Sequence, residues 1–422
     1  MVFFTWLQGL LLLFQTGLLL PVGYLVLLTF AAWKAAGRKR RVEQGKSRSK
    51  FLILIPAHNE EKLLPVLLRN LADLDYPADH FSVHVIADNC TDQTALVAQQ
   101  MGAVVHQRTD LEKRGKGYAL QWALDKLLKT SNDDAVVILD ADSVVSTNFL
   151  AAADFYLTQG SRVLQAYYTV RSPLGSGPES IRYIALAGLH YLRPLGRMVL
   201  GGSAGLKGNG MIFATDLLRR FPWSASVTED IEQHMKLLLA GERVIFVPDA
   251  VVQGQMPDNL SRSKSQHDRW ESGRVEMARR YVPHLARKFW LSLLKRDLRG
   301  SVLYLDALVE HVIPPFSILA LFAGLDLLAA VLLFAGSALG FLPGGSPLLL
   351  WLGRTNLILS VGVAGGMAFY VFSGLQMVKA PREIYRAFIF VPLFVLWKVK
   401  QVLGVYLGHS QQEWVRTTRN EG

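Results

Sequence analysis

A chain of 422 residues has room for one soluble domain of ordinary size and a membrane portion, and a hydrophobic content of 51% is high for a purely soluble protein. Cys90 is the only cysteine, which excludes an internal disulfide and any multi-cysteine metal site. The formal charge of +11 owes much to basic runs beside apolar segments, so it speaks for a membrane surface and against a nucleic-acid partner.

From Leu7 to Trp33 no residue is charged. At a helical rise of about 1.5 Å per residue this is roughly 40 Å, more than the ~30 Å of a bilayer core. A signal peptide would be shorter, with a basic stretch before it and a small-residue cleavage site after it. Residues 1–33 are therefore expected to be a transmembrane helix. Lys34, Arg38, Lys39, Arg40, Arg41, Lys46, Arg48 and Lys50 follow against a single acid, Glu43. Such a juxtamembrane linker (34–50) marks the cytoplasmic side.

Residues 51–285 alternate between β-rich runs and helical spacing. Strands are predicted at Phe51–Pro56, Phe81–Ile86, Ala103–His106 and Ala135–Leu139, and helices at Glu61–Leu74, Asp92–Met101 and Tyr118–Leu128. This order predicts a parallel α/β sheet covered on both faces, with ligands at the C-terminal strand ends. Glu60, Asp88, Asp140 and Asp142 fall there.

The motifs between these elements point to one chemistry. Lys113-Arg-Gly-Lys-Gly117 puts cations and glycine amides before a helix, a setting suited to phosphate, although a solvated basic loop looks the same. Asp140 and Asp142 would share a face if the strand stays extended, and so could share a hard cation with phosphate oxygens. A lone pair of this kind is more often a polar turn; acids closing two other strands change that balance. In Thr228-Glu229-Asp230, Glu229 stands in a capping-box relation to Ser226, which leaves Asp230 for a base role. Gln266, Arg269 and Trp270, at i, i+3 and i+4, would lie on one helix face, with an apolar plate beside hydrogen-bonding groups.

Toward the C-terminus, residues 286–311 read as an amphipathic connection. Apolar spans at Val312–Leu342 and Ser346–Met377 predict two crossings within 312–378, joined by an uncharged turn, Phe341–Pro347. Lys379, Arg382 and Arg386 then return the chain to the cytoplasmic side. Residues 379–422 are expected to hold an interfacial helix around Ala387–Trp397 and a cytosolic tail.

Taken in order, Asp88, Asp140-Ala-Asp142, Thr228-Glu-Asp230 and Gln266-His-Asp-Arg-Trp270 resemble the D, DxD, TED and QxxRW pattern of membrane-embedded family-2 glycosyltransferases, the branch with cellulose, hyaluronan and poly-N-acetylglucosamine synthases. The resemblance covers roughly residues 51–285. It implies a GT-A, Rossmann-like domain with flanking transmembrane and interfacial helices. It also implies inverting transfer from a UDP-sugar with Mg²⁺ or Mn²⁺, at the plasma (inner) membrane with the catalytic domain cytoplasmic. By position, Pro56, Glu60 and Asp88 would hold the nucleoside, Lys116 the diphosphate, and Asp142 the metal, with Asp140 between ribose and metal. Asp230 would be the base. Gln266, Arg269, Trp270, Glu229, Gly208 and Asn209 would face the acceptor or diphosphate.

Secreting synthases of this branch have more crossings than the three expected here. Either the acceptor is a membrane lipid or lipid-linked glycan, or a processive synthase gains its pore from further copies or an accessory subunit. A non-catalytic sugar-nucleotide binder or a glycolipid translocator would not need both a base and a metal pair. A translocator would also carry more polar residues at the membrane midplane than Asp326 and Arg354.

Overall fold

The computed structural model describes residues 2–36, 49–226, 228–256, 260–339 and 347–406; for 260–267, 269, 405 and 406 only the backbone is described. Residues 37–48 of the basic linker, 340–346 of the inter-helix turn and the tail after 406 lie outside it, as do the side chains of Gln266 and Arg269.

The uncharged N-terminal run is one helix, α1 (Val2–Ala36). The first half of the domain follows the expected alternation: β1 (Phe51–Ala57), α2 (Leu64–Ala72), β2 (Phe81–Asp88), α3 (Thr94–Gln100), β3 (Val104–Arg108), α4 (Lys116–Leu127) and β4 (Ala135–Ile138). The second half adds β5 (Ser143–Val145), α5 (Phe149–Thr158), β6 (Val163–Val170), α6 (Gly177–Leu186), α7 (Arg193–Val199), β7 (Met211–Ala214), α8 (Thr215–Arg220), α9 (Glu229–Leu239) and β8 (Val244–Gly254).

Among the described residues eight strands form one sheet, ordered β3-β2-β1-β4-β7-β6-β8-β5. β3, β2, β1 and β4 are parallel. β7 runs antiparallel to β4 and β6, and β5 antiparallel to β8, so the sheet is mixed where a parallel one was expected. Hydrophobic runs mark a buried strand but not its direction, which the connections set.

Successive residues of β1 serve opposite layers, as strand geometry requires. Phe51, Ile53 and Ile55 pack with Leu64, Leu67 and Phe149 beneath α2 and α5. Leu52 and Leu54 belong to a second core with Leu120 and Leu124 of α4, Leu195 of α7, and Leu25 and Leu28 of α1. That core runs without a break from the sheet into α1. Gly196 explains the approach: a Cβ there would sit 2.5 Å from the Leu28 carbonyl oxygen, so α7 touches the α1 backbone only because it has glycine at this point.

After β8, α10 (Leu260–Leu294) runs past the expected domain end at 285. It is followed by α11 (Leu298–Val312), α12 (Phe316–Ala338), α13 (Pro347–Met377), a 3-10 stretch at Arg382–Phe390, and α14 (Val391–Tyr406). Four described stretches are long and apolar enough to cross a membrane: α1, α12, α13 and Arg382–Gly404. The first three are tied by buried polar groups. Gln15 donates to Asp326 at 3.0 Å and to Ser360 at 2.9 Å, and Ser360 donates to Asp326 at 2.7 Å. The fourth runs along the sheet domain. Ile384 and Ala387 pack with Ile181 and Ile184 of α6, and Lys398 pairs with Glu271 of α10 at 3.0 Å.

Candidate active site

The C-terminal strand ends open into a cavity of about 690 Å³ that continues to the start of α12 and to α13 and α14. Of the residues expected in the site, Pro56, Glu60, Asp88, Lys116, Asp140, Asp142, Gly208, Glu229, Asp230 and Trp270 all line it.

At the sheet end two of the acids, Asp88 and Asp140, are each fixed by a cation. Asp88, buried at the tip of β2, accepts from Arg108 at 2.5 Å. Arg108 also donates to Asp110 and to the Lys113 carbonyl, both at 2.9 Å, and so holds the basic loop against the strand ends. The Glu60 N–H donates to Thr94 Oγ1 at 2.8 Å. Lys116 opens α4 behind Gly115, whose φ of 112° is a backbone state that glycine adopts without strain. Its ammonium donates to Asp140 Oδ1 and to the Gly208 carbonyl, each at 2.5 Å. Burial opposes this charge, but Asp140, Glu229 and Asp230 outweigh it and hold the ammonium above its ordinary range.

Asp140 and Asp142 do not share a face of an extended strand. A turn closes between them, with the Ser143 N–H donating to the Asp140 carbonyl at 3.1 Å, and both carboxylates reach the cavity from it. Asn209 fixes this turn. Its Oδ1 accepts from the Asp140 N–H at 3.2 Å and its Nδ2 donates to Ser143 Oγ at 2.8 Å. Asn209 is fully buried and is not among the residues lining the cavity.

The expected capping box at Ser226 and Glu229 does not form. α9 begins at Glu229 with Thr228 as its N-cap and no side-chain cap bond. Glu229 and Asp230 instead face the cavity from the first helical turn. Burial raises the Asp230 carboxyl above the usual carboxylate range, against the pull of Lys116, the Ile231 N–H and Lys207. Gly208, with φ +77°, presses on it: a Cβ there would lie 3.2 Å from Asp230 Oδ2. Trp270 of α10 lines the cavity and is 41% exposed, so its ring presents a plate to a ligand. α10 reaches this place because Gly273 packs directly on Thr228, where any side chain would collide.

A second charged cluster, absent from the motif reading, lines the helix end. A π-helical turn at Ala187–Leu192 delivers Arg193, and Arg197 follows one turn later. Arg197 is committed to Asp306, at 3.0 and 2.8 Å, and Asp306 also accepts from Tyr24 of α1 at 3.0 Å. Glu310 stands farther off, 3.5 Å from Arg193 and 3.8 Å from Arg197. The i, i+4 spacing of Arg193/Arg197 and of Asp306/Glu310 is the signal that could have suggested two matched helices.

Asp140 and Asp142 suit Mg²⁺ or Mn²⁺. Such ions need only one or two carboxylates when substrate phosphates and water complete the shell. Among the described residues no group of three or more His, Cys, Asp or Glu is placed to hold a metal ion.

Residues 48–273, more than half of the chain, match the model of the glycosyltransferase like family 2. The chain belongs to that family. It is 25% identical over 232 residues to a beta-monoglucosyldiacylglycerol synthase from Synechocystis sp., covering 52% of this chain and 47% of that one. It is 22% identical over 294 residues to the UDP-forming cellulose synthase catalytic subunit of Komagataeibacter sucrofermentans, covering 66% and 37%. This chain thus spans about half the length, or less, of these two relatives. The mannosyltransferase PcManGT from Pyrobaculum calidifontis, solved with GDP-Man and Mn²⁺, superposes with a TM-score of 0.53 at 19% identity, over 83% of this chain and 98% of that one. The mixed sheet and its helices are thus a GT-A-like fold with apolar helices flanking the domain.

Proposed function

We propose that this glycosyltransferase moves a sugar from a UDP-sugar to a membrane-associated acceptor, a lipid or a lipid-linked glycan, in one inverting displacement that forms a β-linkage. The observation that carries the reading is Asp230, a half-buried carboxylate whose pKa is raised by desolvation, in a cavity that also holds Asp140 and Asp142 and runs on to the apolar helices. A base gains proton affinity from such a shift, and one base suffices when the leaving group is a diphosphate that needs no protonation.

Pro56, Glu60 and Asp88 would cradle the nucleoside, and Lys116 would meet the diphosphate from the start of α4. Asp140 and Asp142 would hold Mg²⁺ or Mn²⁺. Bound there, the cation offsets the charge that builds on the departing diphosphate. Asp230 takes the acceptor hydroxyl proton as that oxygen attacks the anomeric carbon from the side opposite the diphosphate. Trp270 supplies a plate for the acceptor sugar, with Gln266 and Arg269 on the same helix. The basic flanks support a cytoplasmic position for this domain, and the contacts of Arg382–Gly404 with α6 and α10 favour an interfacial position for that stretch.

The test is to supply purified protein in vesicles with labelled UDP-glucose or UDP-N-acetylglucosamine. Label should enter the lipid fraction as one or a few β-linked sugars, stop on chelation and return with Mn²⁺ or Mg²⁺. Long polymer delivered across the membrane by demonstrably monomeric protein would overturn the acceptor assignment. Full activity in excess EDTA would overturn the metal.

A further inference from the structure

One face of α14 lines the cavity. Val391, Phe394, Val395 and Lys398 all reach it, and their i, i+3, i+4 and i+7 spacing puts them on a single helix face. Leu393, Leu396 and Leu403 are exposed on the other side of the helix, so α14 stands between the cavity and the outside. Among the described residues, Lys398 is the only charged side chain that α14 contributes to the wall. Its ammonium lies 3.0 Å from Glu271 Oε1 of α10, and both side chains are largely buried. Glu271 follows Trp270 directly, lines the cavity with it, and also meets Arg274 at 3.2 Å.

We propose that α14 is a wall that keeps water from the reacting centre, and that Lys398 and Glu271 are positioning residues that lock it to α10 beside Trp270. The inference rests on the transferase reading and adds the side reaction that the fold suppresses. Phe394 packs against the apolar cluster of Ile181 and Ile184, but apolar burial is non-directional and leaves the rotation of a helix loosely set. A buried ion pair adds little stability over an apolar contact, yet it fixes one register, and here that register turns the face of Val391, Phe394 and Val395 inward. Water that reached Asp230 could give up its proton there and attack the anomeric carbon in place of the acceptor. One carbon–oxygen bond forms, the bond to the diphosphate breaks, and UDP and free sugar leave. An apolar wall held shut limits that loss.

Purified full chain in vesicles is given labelled UDP-glucose or UDP-N-acetylglucosamine, and label released as free sugar is compared with label in the lipid fraction. Backbone amide exchange over residues 391–402 is followed on the same samples without donor. Wild type should put most label into lipid and exchange these amides slowly. K398M should raise the ratio of free sugar to lipid label about tenfold and speed the exchange about tenfold. K398R keeps the charge and the reach, and should stay within about twofold of wild type in both readouts. Should K398M fail to fold, E271Q breaks the same pair from the α10 side and should act in the same direction. Unchanged exchange in folded K398M or E271Q overturns the lock. Faster exchange with an unchanged ratio overturns the water-excluding role. If wild type neither transfers nor hydrolyses either donor while exchange still answers to K398M, the transferase reading breaks and the lock stands, so the two failures are distinguishable.

Discussion

At the sheet end of the cavity Asp88 meets Arg108 and Asp140 meets Lys116, each at 2.5 Å, whereas at the helix end Arg193 and Arg197 stand 3.5 and 3.8 Å from Glu310. The first set sits on strand tips and a helix start, where the backbone fixes each group. The second sits on two helices, α7 and α11, that pack through Arg197 and Asp306 and leave the remaining charges at longer range. A tightly paired end is preorganised for a ligand of one fixed shape, such as a nucleotide diphosphate. A loosely paired end keeps unused hydrogen-bonding capacity, and a ligand of varied length and chemistry can take it up.

The largest expected effect tests the boundary between the two ends. Asp230→Asn preserves shape and removes proton-accepting capacity. Transfer should fall on the order of 10²–10⁴-fold while UDP affinity barely moves. A variant with near-normal kcat would remove Asp230 from the base role and with it the division of the cavity at that residue.

Next comes the donor end itself. Asp142→Ala leaves one carboxylate at the turn, and half-maximal transfer should need about 100-fold more Mn²⁺ or Mg²⁺, or never be reached. A metal titration curve that does not shift would show that the turn serves only as structure.

Gly208→Ala joins the two ends in one substitution. The residue has φ +77°, its carbonyl binds Lys116, and a Cβ would press on Asp230 at 3.2 Å. The backbone state costs roughly 1–2 kcal/mol for an L-residue, and displacement of the base adds to it. About a tenfold loss in kcat, with little change in KM for the donor, is expected from steady-state kinetics.

How much of this was legible in the sequence depends on range. Phe51–Ala57, Phe81–Asp88 and Ala135–Ile138 are runs of β-rich residues that announce themselves, and the acids at their tips follow from strand geometry. The antiparallel β7 does not announce itself, because direction is a property of the connections. Asn209 looks from its flanking glycines like an exposed loop residue, and only the packing of that loop on Asp140 and Ser143 buries it. The Ser226–Glu229 spacing fits a capping box, yet the helix starts later, at Glu229, with Thr228 as its N-cap. Arg193 and Glu310 are more than a hundred residues apart, and nothing local pairs them.

A smaller effect concerns pH. Asp230 must be ionised to act, and its raised pKa places the acid limb of kcat/KM above the ordinary carboxylate range, with activity rising as pH increases through it. Lys207 favours the ionised form, so Lys207→Gln should move that limb to still higher pH. A limb that stays in place would mean that the helix end does not act on the base.

The smallest effect should come from a buried acid among the apolar helices, Asp326, and it sharpens what separates a working charge from a structural one. Its carboxylate accepts from Gln15 and Ser360, which join α1, α12 and α13, and it does not line the cavity. Asp326→Asn keeps the shape and one acceptor, so it should cost about 1 kcal/mol, in line with hydrogen bonds between membrane helices. Thermal unfolding in detergent should drop by a few degrees, while transfer in nanodiscs stays within about twofold of wild type. A tenfold loss of transfer, with the fold intact, would mean that the bundle takes part in the reaction. In that event the comparison between the two ends of the cavity would have to include a third, intramembrane set of charges.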